Sequence, residues 1–171
     1  HPKPRPNPLD RPPDMPRDMH RDRPLKATSD SRGEIATRQA LESIFGVPFP
    51  KSRPNFLRND VTSRSTGAVS SRDMNPFDEG TKSGDNYLEL DCFNKTLRIA
   101  AEFNGRQHVE YVPFFHRSVD IFENGKYRDR MKSDLCINEG VHLIIVPHTV
   151  PYVDIHRFVS NELRIRGLLP K

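Results

Sequence analysis

The sequence predicts an α/β fold: a mixed sheet flanked by helices, with an extended Pro- and Arg-rich N-terminal arm. Three observations predict it. Three stretches repeat apolar residues near period 3.6, the helical spacing. A hairpin and a later apolar run carry strand patterning. Half of the 16 prolines fall within residues 2–24 of the 171-residue chain, so arm and domain differ in composition.

The arm, residues 1–30, interleaves those prolines with Arg, Lys and Asp. Proline fixes φ and removes a backbone donor, so neither helix nor sheet propagates through it. With few apolar residues the arm cannot offset its ordering entropy by burial, and it is expected to be disordered. It is a candidate contact for a protein partner in polyproline form, or for phosphate through Arg5, Arg11, Arg17, Arg21 and Arg23. Residues 31–171 are expected to fold as one domain, interrupted by a long Ser-, Gly-, Asp- and Asn-rich surface loop at 58–86.

Within the domain, Ser31 or Asp30 is placed to cap a first helix, with Glu34 as its first-turn acid. Ile35, Ala40, Leu41, Ile44 and Phe45 form its apolar stripe, and Glu34, Arg38 and Glu42 a polar line at i, i+4. Gly46 and Pro48 end it. Residues 87–93 are expected as a strand, Asn94, Lys95 and Thr96 as a turn, and 97–103 as a second strand closed by Asn104 and Gly105. A helix over 119–138 buries Phe122, Met131, Leu135 and Cys136 and stops at Gly140. Residues 141–146 read as a fully buried strand stopped by Pro147. A last helix over 152–166 buries Ile155, Phe158, Val159 and Leu163.

Composition limits the function classes. Apolar residues make up 34% and charged residues 29%, too polar for a packed core throughout. No apolar run approaches the roughly 18 residues of a membrane span, and no apolar signal segment opens the chain. The chain starts at His1 and not Met, which reads as a processed or truncated form. Two cysteines, Cys92 and Cys136, make no disulfide framework. The expected location is intracellular, cytoplasmic or nuclear, and not secreted. A net charge of +4 suits a polyanionic partner.

The chemistry concentrates in the hairpin. Asp91 in its first strand and Glu102 in its second can lie side by side across the ladder. Two close carboxylates repel unless a cation sits between them. Mg²⁺ favours such oxygen-rich geometry, and it activates water and polarises phosphate. Glu34 is a candidate third carboxylate. Glu102 follows Ile99, Ala100 and Ala101, an apolar strand in which an unpaired acid is costly. Gln107 and His108 come directly after the Asn104-Gly105 turn, and His108 is placed for general base or phosphate contact.

These residues carry a resemblance. Leu90-Asp91, then Ile99-Ala100-Ala101-Glu102-Phe103-Asn104-Gly105-Arg106-Gln107-His108, resembles the restriction-endonuclease-like PD-(D/E)XK superfamily, in the branch related to very-short-patch repair endonucleases. Arg128-Asp129-Arg130-Met131-Lys132-Ser133-Asp134-Leu135-Cys136 is similar to that branch's Asp-x-x-Lys-x-x-x-Cys helix. Gly140 to Pro147 resembles its final core strand. Upstream, Gly33-Glu34 to Glu42 and Phe49 to Leu57 look most like members from large DNA viruses, a group with phage members alongside. The resemblance spans residues 31–160.

It implies a metal-dependent endonuclease hydrolysing DNA phosphodiester bonds. Asp91 and Glu102 would hold Mg²⁺ or Mn²⁺, supported by Glu34. The wider superfamily has Lys two residues after the Glu, where this chain has Asn104. Lys132 and His108 are the two substitutes, and a helix salt bridge from Lys132 to Asp129 is the plain alternative for the lysine. Gln107 completes the expected catalytic set. A catalytically inactive nucleic-acid-binding or assembly module on the same fold is the rival expectation.

Arg53, Arg106, Arg128 and His116 are candidate nucleic-acid contacts, with Phe114 and Phe115 as candidates for unstacking bases. Arg58, Arg64, Arg72 and Lys82 flank or lie in the long loop. Zinc held among Cys92, Cys136, His108 and His116 is a weaker alternative, since no Cys-x-x-Cys pair supports it. DNA is the expected partner, no membrane is expected, and a homodimer is compatible with the sequence.

Overall fold

A computed structural model of the chain describes residues 30–58, 75–80, 87–105 and 119–171, with side chains from 123 onward in the last stretch. The arm up to residue 29, most of the loop at 58–86 and the run 106–118 lie outside these residues, as does the side chain of Phe122.

Helix α1 spans Arg32–Phe45. The Ser31 side chain caps it, accepting from the Glu34 N–H at 3.2 Å. Gly46 ends it in the left-handed region, at φ 66°. Its polar line reaches beyond the helix. Glu42 Oε1 accepts from the Phe49 N–H at 3.0 Å, and Arg38 Nε donates to the Phe49 carbonyl at 3.2 Å. The line is a seam that grips the segment after the helix.

The strands are shorter than expected, for one physical reason. Residues 87–90 do not pair with the hairpin partner. Leu90 bridges Ser52, and Tyr87 bridges Arg58. Only Cys92–Asn94 (β1) pairs antiparallel with Ile99–Asn104 (β2), in register Cys92 to Ala101. Asp91 therefore lies not in a strand but at the bend where the chain changes pairing partner. The hairpin turn also runs longer, through Arg98 at φ 54°, and the Asn94 Oδ1 accepts from the Leu97 N–H at 2.9 Å.

Helix α2, Val119–Asn138, leads to β3, His142–Pro147, which runs parallel to β2. Among the described residues, the order β1-β2-β3 leaves β3 at the edge of a three-stranded mixed sheet. The expectation of a full burial for this run is corrected accordingly: Ile144 and Val146 are buried, whereas His142 and Ile145 are exposed. A 3-10 turn, Tyr152–Asp154, precedes α3, Ile155–Ile165, so the last helix starts later than the pattern predicted.

Strand alternation splits the core in two. On one face Cys92, Ile99, Ala101, Ile144 and Val146 pack with Leu41, Phe49, Ile155, Val159 and Leu163 from α1, its following segment and α3. On the other face Phe93 and Ala100 pack with Phe56, Leu57, Leu90, Cys136 and Val141 under α2. Among the described residues, no helix is long and apolar enough to cross a membrane.

Candidate functional site

Where β2 leaves the core, a cleft of about 420 Å³ opens, lined by Glu34, Asp91, Glu102, Asn104, Lys132, His148 and Tyr152 among others. Each acid arrives by a different route. The register Cys92 to Ala101 sets Asp91, one residue earlier, beside Glu102, one residue later. Glu34 comes from the first turn of α1 and Lys132 from α2. Gly33 lets α1 approach this closely, since a Cβ there would stand 2.3 Å from the Phe103 ring.

Glu102 is 6% exposed. Burial pushes its carboxyl up to about 7, against the opposing pull of Lys132. The Lys132 Nζ donates to Glu102 Oε1 at 2.5 Å, a contact across 30 residues of sequence. The Asp91 carboxyl is also held above its ordinary range, first by burial and then by the charge of Glu34. Asp91 Oδ2 accepts from the Phe103 N–H at 3.3 Å. Glu34 Oε2 accepts from Lys51 Nζ at 3.3 Å, and Lys51 also pairs with Asp30 at 2.8 Å.

Asp91, Glu102, Glu34, Asn104 and Lys132 are thus brought to one cleft. Two other expected residues are not. Arg128 is exposed on α2 and does not line it, and Arg53 is turned to Glu89, with Nε to Oε2 at 2.9 Å. Arg106, Gln107, His108, Phe114, Phe115 and His116 lie outside the described residues. His148, whose irregular spacing reads as a structural or surface residue, and Tyr152, which carries no motif, both stand on the cleft wall. His148 follows Pro147, whose pairing with Asn104 across parallel strands is the signal that places it there.

The donor set can be weighed against a metal. Among the described residues, no group of three or more His, Cys, Asp or Glu forms a ready metal cage. The pair of half-buried Asp91 and buried Glu102 still suits Mg²⁺, which is commonly held by one or two carboxylates with water and phosphate oxygens completing its shell. Zinc fits less well. Cys92 and Cys136 are buried in separate clusters on opposite faces of the sheet, and burial pushes both thiols up to about 12.

No protein-family model matches the chain, and no solved structure matches it. Three viral proteins do. The uncharacterized protein 033L of Invertebrate iridescent virus 3 is 40% identical over 142 residues, covering 83% of this chain and 62% of the relative. The uncharacterized protein 307L of Invertebrate iridescent virus 6 is 36% identical over 150 residues, 82% of this chain and 66% of the relative. The chain thus spans slightly less than two thirds of these two relatives. The uncharacterized protein 094L of Frog virus 3 is 35% identical over 128 residues, 74% of this chain and 68% of the relative. With that identity over that share of both lengths, the chain belongs to the family of the Frog virus 3 protein 094L.

Proposed function

We propose that the chain is a restriction-endonuclease-like, metal-dependent endonuclease acting on DNA. The observation that carries this reading is the meeting of Asp91, Glu102 and Lys132 in one cleft, from a bend, a strand and a helix. Asp91 and Glu102 would hold Mg²⁺ or Mn²⁺, with Glu34 at the margin. The bound cation supplies phosphate polarisation and an activated water. Lys132 supplies the positive charge that Asn104 does not. Its ammonium donates to Glu102, and at the cleft wall it would also be placed to donate to a phosphate oxygen of a bound substrate. The Phe103 N–H keeps the Asp91 carboxylate turned toward the cleft. The net charge of +4 favours approach of a polyanion and makes its binding salt-sensitive.

A binding module on the same fold is the second reading. The Lys132–Glu102 ion pair favours it, because it neutralises a buried carboxylate without any metal. Plasmid nicking in Mg²⁺ or Mn²⁺ separates the two. The endonuclease reading predicts metal-dependent nicking by the wild type that falls at least about 100-fold in Asp91→Ala and Glu102→Gln. Folded wild type that binds DNA yet nicks with neither metal would leave the binding module as the answer.

A further inference from the structure

Asp91 stands at a bend, so its carboxylate is only as well placed as the backbone beneath it. One side chain reaches that backbone from a distance. Arg38 Nη2 donates to the Asp91 carbonyl at 2.8 Å, across 53 residues of sequence. The same guanidinium donates through Nε to the Phe49 carbonyl at 3.2 Å and through Nη1 to Asp30 Oδ2 at 2.5 Å. Three segments are therefore fixed by one rigid, planar fork. The fork is mostly shielded, with the Arg38 and Asp30 side chains 21% and 13% exposed, so solvent competes weakly for these bonds.

The geometry has a direction. Arg38 lies one turn beyond Glu34 on α1, and Glu34 lines the cleft while Arg38 does not. Helix α1 thus presents an acid to the cleft and, one turn later, clamps the bend that presents the second acid. From the far side, the Phe103 N–H on β2 holds the Asp91 carboxylate next to Glu102. We propose that Arg38 is the positioning residue of the acidic site: it sets where Asp91 stands relative to Glu34 and Glu102 without touching substrate. The inference rests on the cleft being a metal site. Lysine cannot take this role, because one ammonium on a flexible stem does not reproduce three bonds in one plane.

The test uses the full chain as wild type, Arg38→Lys, Arg38→Ala and, as a control on the exposed surface of α3, Arg157→Lys. Two quantities are read: amide hydrogen exchange at Phe103 relative to Ala101 without metal, and Mn²⁺ affinity by electron paramagnetic resonance titration. A positioning role predicts that folded Arg38→Lys speeds Phe103 exchange about tenfold while sparing Ala101. It predicts Mn²⁺ affinity lower by about 10- to 100-fold, the usual loss when support behind a metal ligand is removed. Arg157→Lys moves neither. Wild-type values for both in folded Arg38→Lys overturn the proposal. Should both Arg38 variants fail to fold, Asp30→Asn, which loosens the fork and keeps Arg38, is predicted to shift both readings the same way, and unchanged values there overturn it. If the wild type itself binds no Mn²⁺, the metal reading fails, and Phe103 exchange alone decides whether Arg38 holds Asp91.

Discussion

Both faces of the sheet carry an apolar core, but the face toward α2 ends in a buried charge where the face toward α1 and α3 stays apolar. Toward α1 and α3, Ala101 is 0% exposed among Leu41, Ile144, Val159 and other apolar side chains. Toward α2, its neighbour Glu102 is 6% exposed and meets an ammonium. One residue along a strand changes the face, so a single step separates a hydrophobic contact from an ion pair. The difference teaches what each face is for. Apolar burial at roughly 25 cal/mol per Å² stabilises without conditions. A buried ion pair contributes little net, because the desolvation cost offsets the attraction. The second face therefore holds its charges at the expense of stability.

Breaking the apolar face should have the larger effect. Leu41→Ala empties a fully buried position and should cost about 3–4 kcal/mol, by denaturant titration, at every pH. The charged end of the α2 face should instead respond to pH. In metal-free protein the folded Glu102 carboxyl titrates near 7, against about 4.5 when unfolded. The folded state binds the extra proton, so the Glu102 contribution to stability is fully present below 4.5, falls as pH rises to 7, and is lost above it. The drop is on the order of 3 kcal/mol for a buried group shifted this far. Glu102→Gln should flatten that slope, and an unchanged slope would remove Glu102 as its source. The smallest effect joins the two faces. Gly33→Ala places a Cβ against the Phe103 ring and should cost ~1–3 kcal/mol by overpacking. The displaced ring shifts the Phe103 N–H that holds Asp91, so metal affinity should fall with stability.

The elements that sequence patterning located were those governed by local rules. The Ser31 cap, the Gly46 stop and the Gly140 turn follow from neighbours a few residues away. So does the buried stripe Ile155, Val159 and Leu163 of α3. The misread elements depended on distant partners. An alternating run at 87–93 looks like one strand, but its first half pairs with Ser52 and Arg58, and nothing local marks the switch at Asp91. The run at 142–147 is apolar enough for a central strand, yet among the described residues it lies at an edge. The site was legible as a set of residues, Glu34, Asp91, Glu102, Asn104 and Lys132, and not as contacts. A helix salt bridge to Asp129 was the plain alternative for Lys132, whose ammonium donates to Glu102 across 30 residues. Arg38 read as part of a polar i, i+4 line, and only the fold shows that it reaches Asp91.

The central claim is that Asp91 and Glu102 together hold a divalent cation. Anomalous diffraction from a crystal soaked in Mn²⁺ tests it most directly. The account predicts a single strong peak between the two carboxylates, with the Lys132 ammonium drawn away from Glu102. A cleft without a peak, with Lys132 still bonded to Glu102, would contradict it.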